Sequence, residues 1–243
     1  MSSVIRLPLP VIPDPNSSRA CQVFADTIVD GVPARMLLDT GTSRSYVPYR
    51  ESFQPGDVHV ETLQWGALTA RDLSVIMNAS DWPHPPLLGM DVLGRHICDF
   101  RFGDSILELD QPSQAADLLP LPTPAARTPA VPVHWDSAST TAVWDTGSGI
   151  TMVNRSFAEA NPDIVSISAE FGRGTGITGA TGQNPKGRLA PCRIGNVDFP
   201  EQDCGVTNSP GLDGIDIILG LPLISSANWY MDFPGRRWTN SRI

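Results

Sequence analysis

The chain has 243 residues, of which 41% are hydrophobic and 18% charged, so it can bury one large core or two small ones. Its net charge is −9, and its Lys and Arg residues form no stripe that could bind the phosphate backbone of a nucleic acid. We therefore predict no nucleic-acid binding. The 21 Gly and 23 Pro residues, with little helical periodicity, indicate an all-β protein of short strands and turns.

The first eighteen residues predict an extended, proline-broken lead-in (residues 1–18). No basic segment followed by an apolar run marks a secretory signal there, and no later stretch is long and apolar enough to cross a membrane. We therefore expect no membrane partner. The expected location is cytoplasmic, unless export uses a route that this chain does not encode.

An internal repeat of three elements follows. In each copy, a strand-like run ends in Asp-Thr-Gly and a hydroxyl residue, an apolar-apolar-Gly element comes later, and Asp-Phe then precedes a Gly. The copies are Asp39-Thr40-Gly41-Thr42, Leu87-Leu88-Gly89 and Asp99-Phe100 in the first half, and Asp145-Thr146-Gly147-Ser148, Ile218-Leu219-Gly220 and Asp232-Phe233 in the second. Three elements in the same order indicate a duplicated lobe.

The repeat predicts a first lobe at residues 19–110 and a second at residues 131–243. Between them, residues 111–130 are rich in Pro and Ala, which is typical of a semi-extended linker. Only short helices are expected, one after each of the glycines Gly89 and Gly220.

A single Asp-Thr-Gly is weak evidence, because Asp and Gly also make ordinary turns. Two copies, each behind an apolar strand and each with an apolar-apolar-Gly partner, resemble the pepsin and retropepsin superfamily of aspartic peptidases. The resemblance implies two pseudo-symmetric β-barrel lobes of retropepsin size, with a cleft between them. It also implies an aspartic endopeptidase that acts on extended polypeptide, uses Asp39 and Asp145 as its catalytic pair, and needs no cofactor or metal.

Two adjacent carboxyl groups cannot both ionise easily, so they would share one proton and activate one water. The glycines of the two motifs would let each loop turn tightly, and the threonines after the aspartates would cross-brace the loops. Hydroxyl groups at the fourth position would donate to the carboxylates and lower their pKa values, which predicts an acidic optimum. These supporting residues are Thr40, Gly41, Thr42, Thr146, Gly147 and Ser148.

The two copies differ in length: 50 residues separate Asp39 from Gly89, whereas 75 separate Asp145 from Gly220. The additional residues of the second copy include a glycine-rich run at 171–182. We predict that this run forms a single flap over the cleft, that the second lobe carries it, and that the first lobe has none. The residues predicted to contact substrate are Gly174, Thr175, Gly176, Ile177, Thr178 and Gly179.

Other interpretations are weaker or stay open. The same run matches the dinucleotide pattern G-x-G-x-x-G, but it leads into Pro185 rather than a helix, so we predict no nucleotide site. The four Cys and four His residues lack metal-ligand spacing, and a Cys192–Cys204 disulfide stays open. Trp65 and Trp82 would either line substrate pockets or pack in the core.

Because one chain carries both aspartates, a monomer is expected to suffice for activity. The short first lobe leaves a second function open, since a site without proper closure excludes water poorly. In that alternative the chain is a catalytically weak or inactive peptide-binding or inhibitor protein.

Overall fold

The computed structural model describes residues 4–15, 17–51, 55–82, 84–113, 117–122, 128–175, 181–208 and 214–243. Strands account for 57% of the chain and helices for 8%. The prediction of an all-β fold is therefore confirmed.

The first half of the chain contains most of one lobe and three strands of a sheet that joins the lobes. Its elements are β1 (Ile5–Pro8), β2 (Val11–Asp14), β3 (Ser17–Val29), β4 (Val32–Leu38), β5 (Tyr46–Val47), β6 (Gly56–Trp65), β7 (Leu68–Met77), β8 (Leu87–Leu88), α1 (Met90–Leu93), β9 (Ile97–Arg101), a 3-10 turn (Phe102–Asp104) and β10 (Ile106–Leu109).

The second half contains the other lobe and the remaining strands of the joining sheet. Its elements are β11 (Leu119–Pro120), β12 (Ala130–His134), β13 (Ser139–Trp144), β14 (Thr151–Asn154), α2 (Arg155–Ala160), β15 (Val165–Thr175), β16 (Thr181–Leu189), β17 (Cys192–Ile194), β18 (Val197–Phe199), β19 (Gln202–Thr207), β20 (Ile217–Leu219), α3 (Leu221–Ile224), β21 (Ala227–Asp232) and β22 (Arg237–Arg242).

The described strands form three sheets. The first lobe has the order β2-β3-β4-β8-β5-β7-β6, and the second lobe has the order β15-β16-β19-β14-β20-β13-β12-β17-β18. The joining sheet has the order β1-β10-β9-β21-β22-β11 and takes strands from both halves of the chain. Its central pairing, β9 with β21, places Phe100 opposite Trp229.

Aromatic residues pack between the joining sheet and the strand that leads into Asp145. Trp144 lies with its ring centroid 5.0 Å from that of Phe100 and 5.7 Å from that of Trp229, and the Trp229 ring lies 5.8 Å from that of Trp238. All four side chains are fully buried. Because offset and edge-on ring contacts are favourable beyond simple burial, this cluster stabilises the junction on which the second aspartate stands.

The ends of the predicted lobes are more ordered than the sequence indicates. Within residues 1–18, β1 pairs with β10 and β2 pairs with β3, and the side chains of Leu7 and Leu9 are buried. Within residues 111–130, β11 pairs with β22. The prolines obscured these strands, but β1, β2 and β11 are edge strands, where a residue without an N–H group is tolerated.

The short helices α1 and α3 directly follow Gly89 and Gly220, as the sequence predicts. Helix α2 was not predicted, and it begins after Asn154, whose side-chain oxygen accepts a hydrogen bond from the Ser156 N–H at 3.2 Å. Within the described ranges, no helix has the length and apolar character needed to cross a lipid bilayer.

Candidate active site

Each aspartate stands at the end of a strand with an apolar-apolar-Gly element beside it. Strand β4 pairs in parallel with β8, and the N–H of Asp39 donates to the carbonyl of Leu88 at 3.0 Å. Strand β13 pairs in parallel with β20, and the N–H of Asp145 donates to the carbonyl of Leu219 at 3.2 Å. The two halves of the repeat therefore build the same local structure twice.

The structure brings the two carboxyl groups together. The N–H of Gly41 donates to Oδ1 of Asp39 at 2.9 Å and to Oδ1 of Asp145 at 3.2 Å. The two carboxyl groups also hydrogen-bond each other. Two side chains that are far apart in the sequence thus share one N–H donor and form one acidic pair.

Close approach of the two loops requires both glycines of the motifs. A Cβ atom on Gly41 would lie 2.4 Å from Cγ of Asp145, and one on Gly147 would lie 2.3 Å from Cγ of Asp39. Real Cβ atoms do not come so close to other atoms, so any side chain at either position would push the carboxyl groups apart. Gly147 also donates its N–H to Oδ1 of Asp145 at 2.8 Å.

Thr40 and Thr146 fasten the two loops to each other. The hydroxyl of Thr40 donates to the carbonyl of Trp144, and the hydroxyl of Thr146 donates to the carbonyl of Leu38, both at 2.8 Å. Each hydroxyl oxygen also accepts the N–H of the other threonine, at 3.1 and 3.2 Å. Both side chains are buried, so these four bonds are shielded from competing water.

The predicted hydroxyl bonds from Thr42 and Ser148 to the carboxylates are wrong. Thr42 donates its hydroxyl to the carbonyl of Arg44 at 3.0 Å, and Ser148 donates its hydroxyl to the carbonyl of Ile150 at 2.8 Å. The backbone N–H groups of these two residues bond the aspartates instead, and the Ser148 N–H lies 3.2 Å from Oδ1 of Asp145. A carbonyl two residues ahead is a near partner for such a hydroxyl.

The predicted direction of the pKa shift is wrong as well. Burial raises the pKa of Asp39 well above its usual range, and repulsion from Asp145 raises it further. Burial also raises the pKa of Asp145, but the N–H of Gly147, the hydrogen bond from Asp39 and the N–H of Ser148 oppose that rise. Because desolvation outweighs the hydrogen bonds, the pair holds a proton more firmly than isolated carboxyl groups would.

A long hairpin rises from the second lobe. Strands β15 and β16 pair from Val165 opposite Leu189 to Thr175 opposite Thr181, and an ion pair of 2.8 Å joins Lys186 to Glu170 across the hairpin. Two of the predicted flap residues, Gly174 and Thr175, lie at the far end of β15. The other four, Gly176, Ile177, Thr178 and Gly179, lie outside the described residues.

The corresponding interval of the first lobe contains a different hairpin. Strands β6 and β7 connect through a tight turn at Gly66, and the residues on either side, Trp65 and Leu68, are both 2% exposed. Across residues 55–77, the first lobe thus has a hairpin that ends against the core. Trp65 packs in that core, whereas Trp82 is partly exposed and stacks on Tyr46 with ring centroids 6.1 Å apart.

The sequence did not indicate that β3 reaches the second lobe. The N–H of Cys21 donates to the carbonyl of Gly149, four residues after Asp145, at 3.3 Å. Arg19 forms an ion pair of 3.2 Å with Asp203 on β19, beside the long hairpin. Strand β3 has 13 residues, which is longer than the usual strand of about 3–10 residues, and its first residues make these contacts.

Metal ligands do not assemble within the part of the chain that the structure describes, where no three His, Cys, Asp or Glu side chains are grouped. All four cysteines are free thiols, so Cys192 and Cys204 form no disulfide. Burial raises the pKa of each of these two thiols to about 12, which keeps them protonated and unreactive.

Two comparisons with known proteins gave a match. Residues 131–223 match a family model described as "Aspartyl protease", and this range includes the second copy of the Asp-Thr-Gly motif. The comparison with curated proteins gave no match. Among solved structures, the chain is similar to an aspartic proteinase from Irpex lacteus, with a TM-score of 0.62 and 14% sequence identity over 99% of this chain and 97% of that one. At 14% identity, this similarity is evidence for a shared fold alone.

Proposed function

We propose that this chain cleaves extended polypeptides with Asp39 and Asp145 as its catalytic pair. Its fold and the family match of its second lobe support an assignment to the aspartic peptidase superfamily. A single observation carries the proposal. The N–H of Gly41 donates to carboxyl oxygens from both lobes, which places the two acids around one point.

The hydrogen bonds give each acid a different role. Asp145 accepts the N–H groups of Gly147, Ser148 and Gly41 on one oxygen, and donors to a carboxylate favour its ionised form. Burial and then repulsion from Asp145 raise the pKa of Asp39, which gives its proton to the bond with Asp145. We assign Asp145 as the base and Asp39 as the acid of the resting pair, with the pair titrating as one unit.

The reaction then needs no covalent intermediate. A water between the carboxyl groups loses a proton to Asp145 as its oxygen attacks the carbonyl carbon, while Asp39 gives its proton to the carbonyl oxygen. In the second step, Asp145 passes its proton to the amide nitrogen as the C–N bond breaks. The new hydroxyl returns a proton to Asp39, which restores the starting pair.

The rigid surroundings of the pair support this role. The four bonds between Thr40 and Thr146 and the opposite loops hold the carboxyl groups before substrate arrives, so little reorganisation is needed during the reaction. The hairpin of β15 and β16 is the proposed lid, and it would close over an extended peptide from the second lobe alone. Since one chain holds both acids, we propose that the monomer is active.

The test is cleavage of an unfolded protein by the purified chain and by two variants, Asp39→Asn and Asp145→Asn. Each variant keeps the side-chain shape and removes one ionisable group, and we expect each to lose about 1,000-fold or more in kcat/KM. Asp163→Asn, at an exposed turn, is the matched control and should cleave normally. Activity that survives in either dyad variant would refute the assigned pair.

A transition-state analogue adds a second measurement. A peptide with a hydroxyl group in place of the scissile carbonyl should bind the chain far more tightly than the parent peptide does. If the chain binds the parent peptide but neither cleaves it nor prefers the analogue, it is instead a peptide-binding or inhibitor protein.

A further inference from the structure

A cavity of about 730 Å³ lies between the first lobe and the joining sheet, outside the acidic pair. It is lined by the loop after the first Asp-Thr-Gly motif, by Ser74 on β7, by α1 and the residues that follow it, by both sides of the connection between the lobes, and by the turn between β21 and β22. Its lining includes Arg44, Asp91, Arg95, Leu121, Phe233 and Arg236.

Three arginines converge on this cavity in a chain whose net charge is −9. Arg44 is held in place by an ion pair of 2.6 Å with Asp57 and by bonds to Ser74. Arg95 and Arg236 are exposed, and within the described ranges neither forms an ion pair. Two guanidinium groups at the rim are therefore free to bind an incoming anion.

The rest of the lining fits an anion that carries an apolar part. Leu121 and Phe233 are buried in the cavity wall at 4% and 9% exposure. Asp91 also lines the cavity, but its two oxygens already accept the N–H and the hydroxyl of Ser45, at 3.0 and 2.6 Å. The charge that faces the cavity is therefore positive on balance, above an apolar floor.

Comparison of the two lobes shows that this cavity is a departure from the repeat. In the second lobe, the position four residues after Asp145 is covered by β3, because Cys21 bonds both Gly149 and Ser225. The equivalent positions of the first lobe are Ser43, four residues after Asp39, and Gly94, after α1, and both line the cavity. Among the described residues, strand β3 therefore covers this position in the second lobe, whereas the equivalent position of the first lobe faces the open cavity.

The wall of the cavity is also part of the loop that holds Asp39. Thr42 gives its backbone N–H to the carboxyl group of Asp39, accepts the N–H of Met90 at 3.0 Å, and donates its hydroxyl to the carbonyl of Arg44. Met90 and Arg44 both line the cavity. The loop that holds Asp39 and the wall of the cavity are thus joined directly through the bonds of Thr42 to Met90 and Arg44.

We propose that this cavity is a subsite for a carboxylate of the polypeptide substrate, supplied by an acidic side chain or a terminal carboxyl group that lies outside the bond to be cleaved. The proposal rests on the proposed peptidase function and adds a substrate class to it: polypeptides with an acidic segment beside an apolar one. The exposed guanidinium groups of Arg95 and Arg236 would bind the carboxylate, and the apolar floor would take the neighbouring side chain.

The first experiment compares cleavable peptides that differ only in a tail of two Glu or two Gln residues, placed at the N-terminal end in one pair and at the C-terminal end in another. At about pH 5.5 the Glu side chains are largely ionised. We expect kcat/KM to favour the Glu tail by about tenfold in one of the two pairs, and the preference to shrink in 0.5 M salt. Equal rates in both pairs would overturn the proposal.

The variants Arg95→Gln and Arg236→Gln, singly and together, test the assigned residues. The double variant should lose the preference for the Glu tail while it cleaves the Gln-tailed peptides at the normal rate. Arg71→Gln is the matched control, because Arg71 is also exposed and is not among the residues that line the cavity. A preference that persists in the double variant would show that other residues bind the tail, and would overturn the proposal.

A binding measurement separates this proposal from the proposed function. A fluorescent Glu-tailed peptide is titrated against Asp145→Asn, with and without the two arginine substitutions, and its anisotropy is followed. Binding that depends on the two arginines supports the subsite even if the chain cleaves nothing. If the chain cleaves Gln-tailed and Glu-tailed peptides equally well, the proposed peptidase function stands and the proposed subsite is overturned. Thermal stabilisation by free glutarate, with no tail effect, would assign the cavity to a small organic anion instead and overturn the proposal.

Discussion

The hydroxyl oxygens of Thr40 and Thr146 lie 3.5 Å apart, and each donates its proton to a carbonyl of the opposite lobe. Each threonine therefore connects its own loop to the opposite lobe. Because both side chains are buried, a lost hydroxyl leaves a carbonyl and an N–H without partners in a place that water does not easily reach.

We expect Thr40→Val and Thr146→Val each to lower the free energy of unfolding by about 1–3 kcal/mol, since valine keeps the shape and removes the bonds. The variants should also lose kcat with less change in KM, because the carboxyl groups would no longer be held in their reactive geometry. Urea unfolding and steady-state kinetics on one peptide measure the two effects.

Thr40→Ser and Thr146→Ser are the controls, since serine keeps the hydroxyl and should retain most of the stability and activity. The double valine variant should cost less than the sum of the single ones, because the two hydroxyl groups lie 3.5 Å apart in one buried network. Additive losses would mean that the two threonines act independently.

The pH dependence of cleavage follows from the raised pKa values. Protonation of the pair, with Asp145 as the base, sets the acid limb of kcat/KM, and loss of the proton from Asp39 sets the alkaline limb. Burial raises both, so both limbs should lie above the pH of about 3.9 at which an ordinary aspartate titrates. Rates measured across buffers of constant ionic strength test this, and limbs below that pH would contradict the assigned burial.

Stability should depend on the same proton. The pKa of Asp39 is raised in the folded state, so the folded chain binds this proton more tightly than the unfolded chain does. The stability that the proton provides is fully present below the unfolded pKa and is lost as the pH rises through the folded pKa. The free energy of unfolding should therefore be lower at neutral pH than at acidic pH on account of this group.

We expect Asp39→Asn to unfold at a higher Tm than the parent chain at pH 7, by about 2–4 °C for each 1 kcal/mol of relieved cost, and at a similar Tm at pH 3. Asparagine keeps the shape and can still donate to Asp145. Scanning calorimetry at both pH values measures the difference, with Asp163→Asn as the exposed control. An equal Tm at pH 7 would show that the parent pair carries no such cost.

The sequence indicated those parts of the fold whose residues are constrained by local chemistry. The Gly and Pro content and the lack of helical periodicity predicted the all-β fold. The repeated apolar-apolar-Gly elements predicted the two short helices after Gly89 and Gly220. The positions of Asp39 and Asp145 in the chain were visible in the same pattern. Their meeting depends on how the two lobes pack, which a motif alone does not determine.

Bonds that depend on competition between partners were predicted less well. The hydroxyls of Thr42 and Ser148 had a carboxylate and a carbonyl within reach, and the sequence does not reveal that backbone N–H groups already occupy the carboxylate. The sign of the pKa shift depends on burial, which is set by packing from both lobes. Strands β1 and β11 were missed because proline argues against a strand unless the strand lies at an edge.

The strand at the start of the chain provides the last prediction. Leu7 on β1 is 1% exposed and packs in the core, opposite Leu107 of the joining sheet, whereas Val4, just before β1, is 40% exposed. We expect Leu7→Ala to lower the free energy of unfolding by about 2–5 kcal/mol, because it empties a filled core site, and Val4→Ala to change it by less than about 0.5 kcal/mol. Urea denaturation followed by tryptophan fluorescence measures both. If the two variants were equally stable, residues 1–18 would be the separate extended lead-in that the prolines predict, and the joining sheet would not depend on β1.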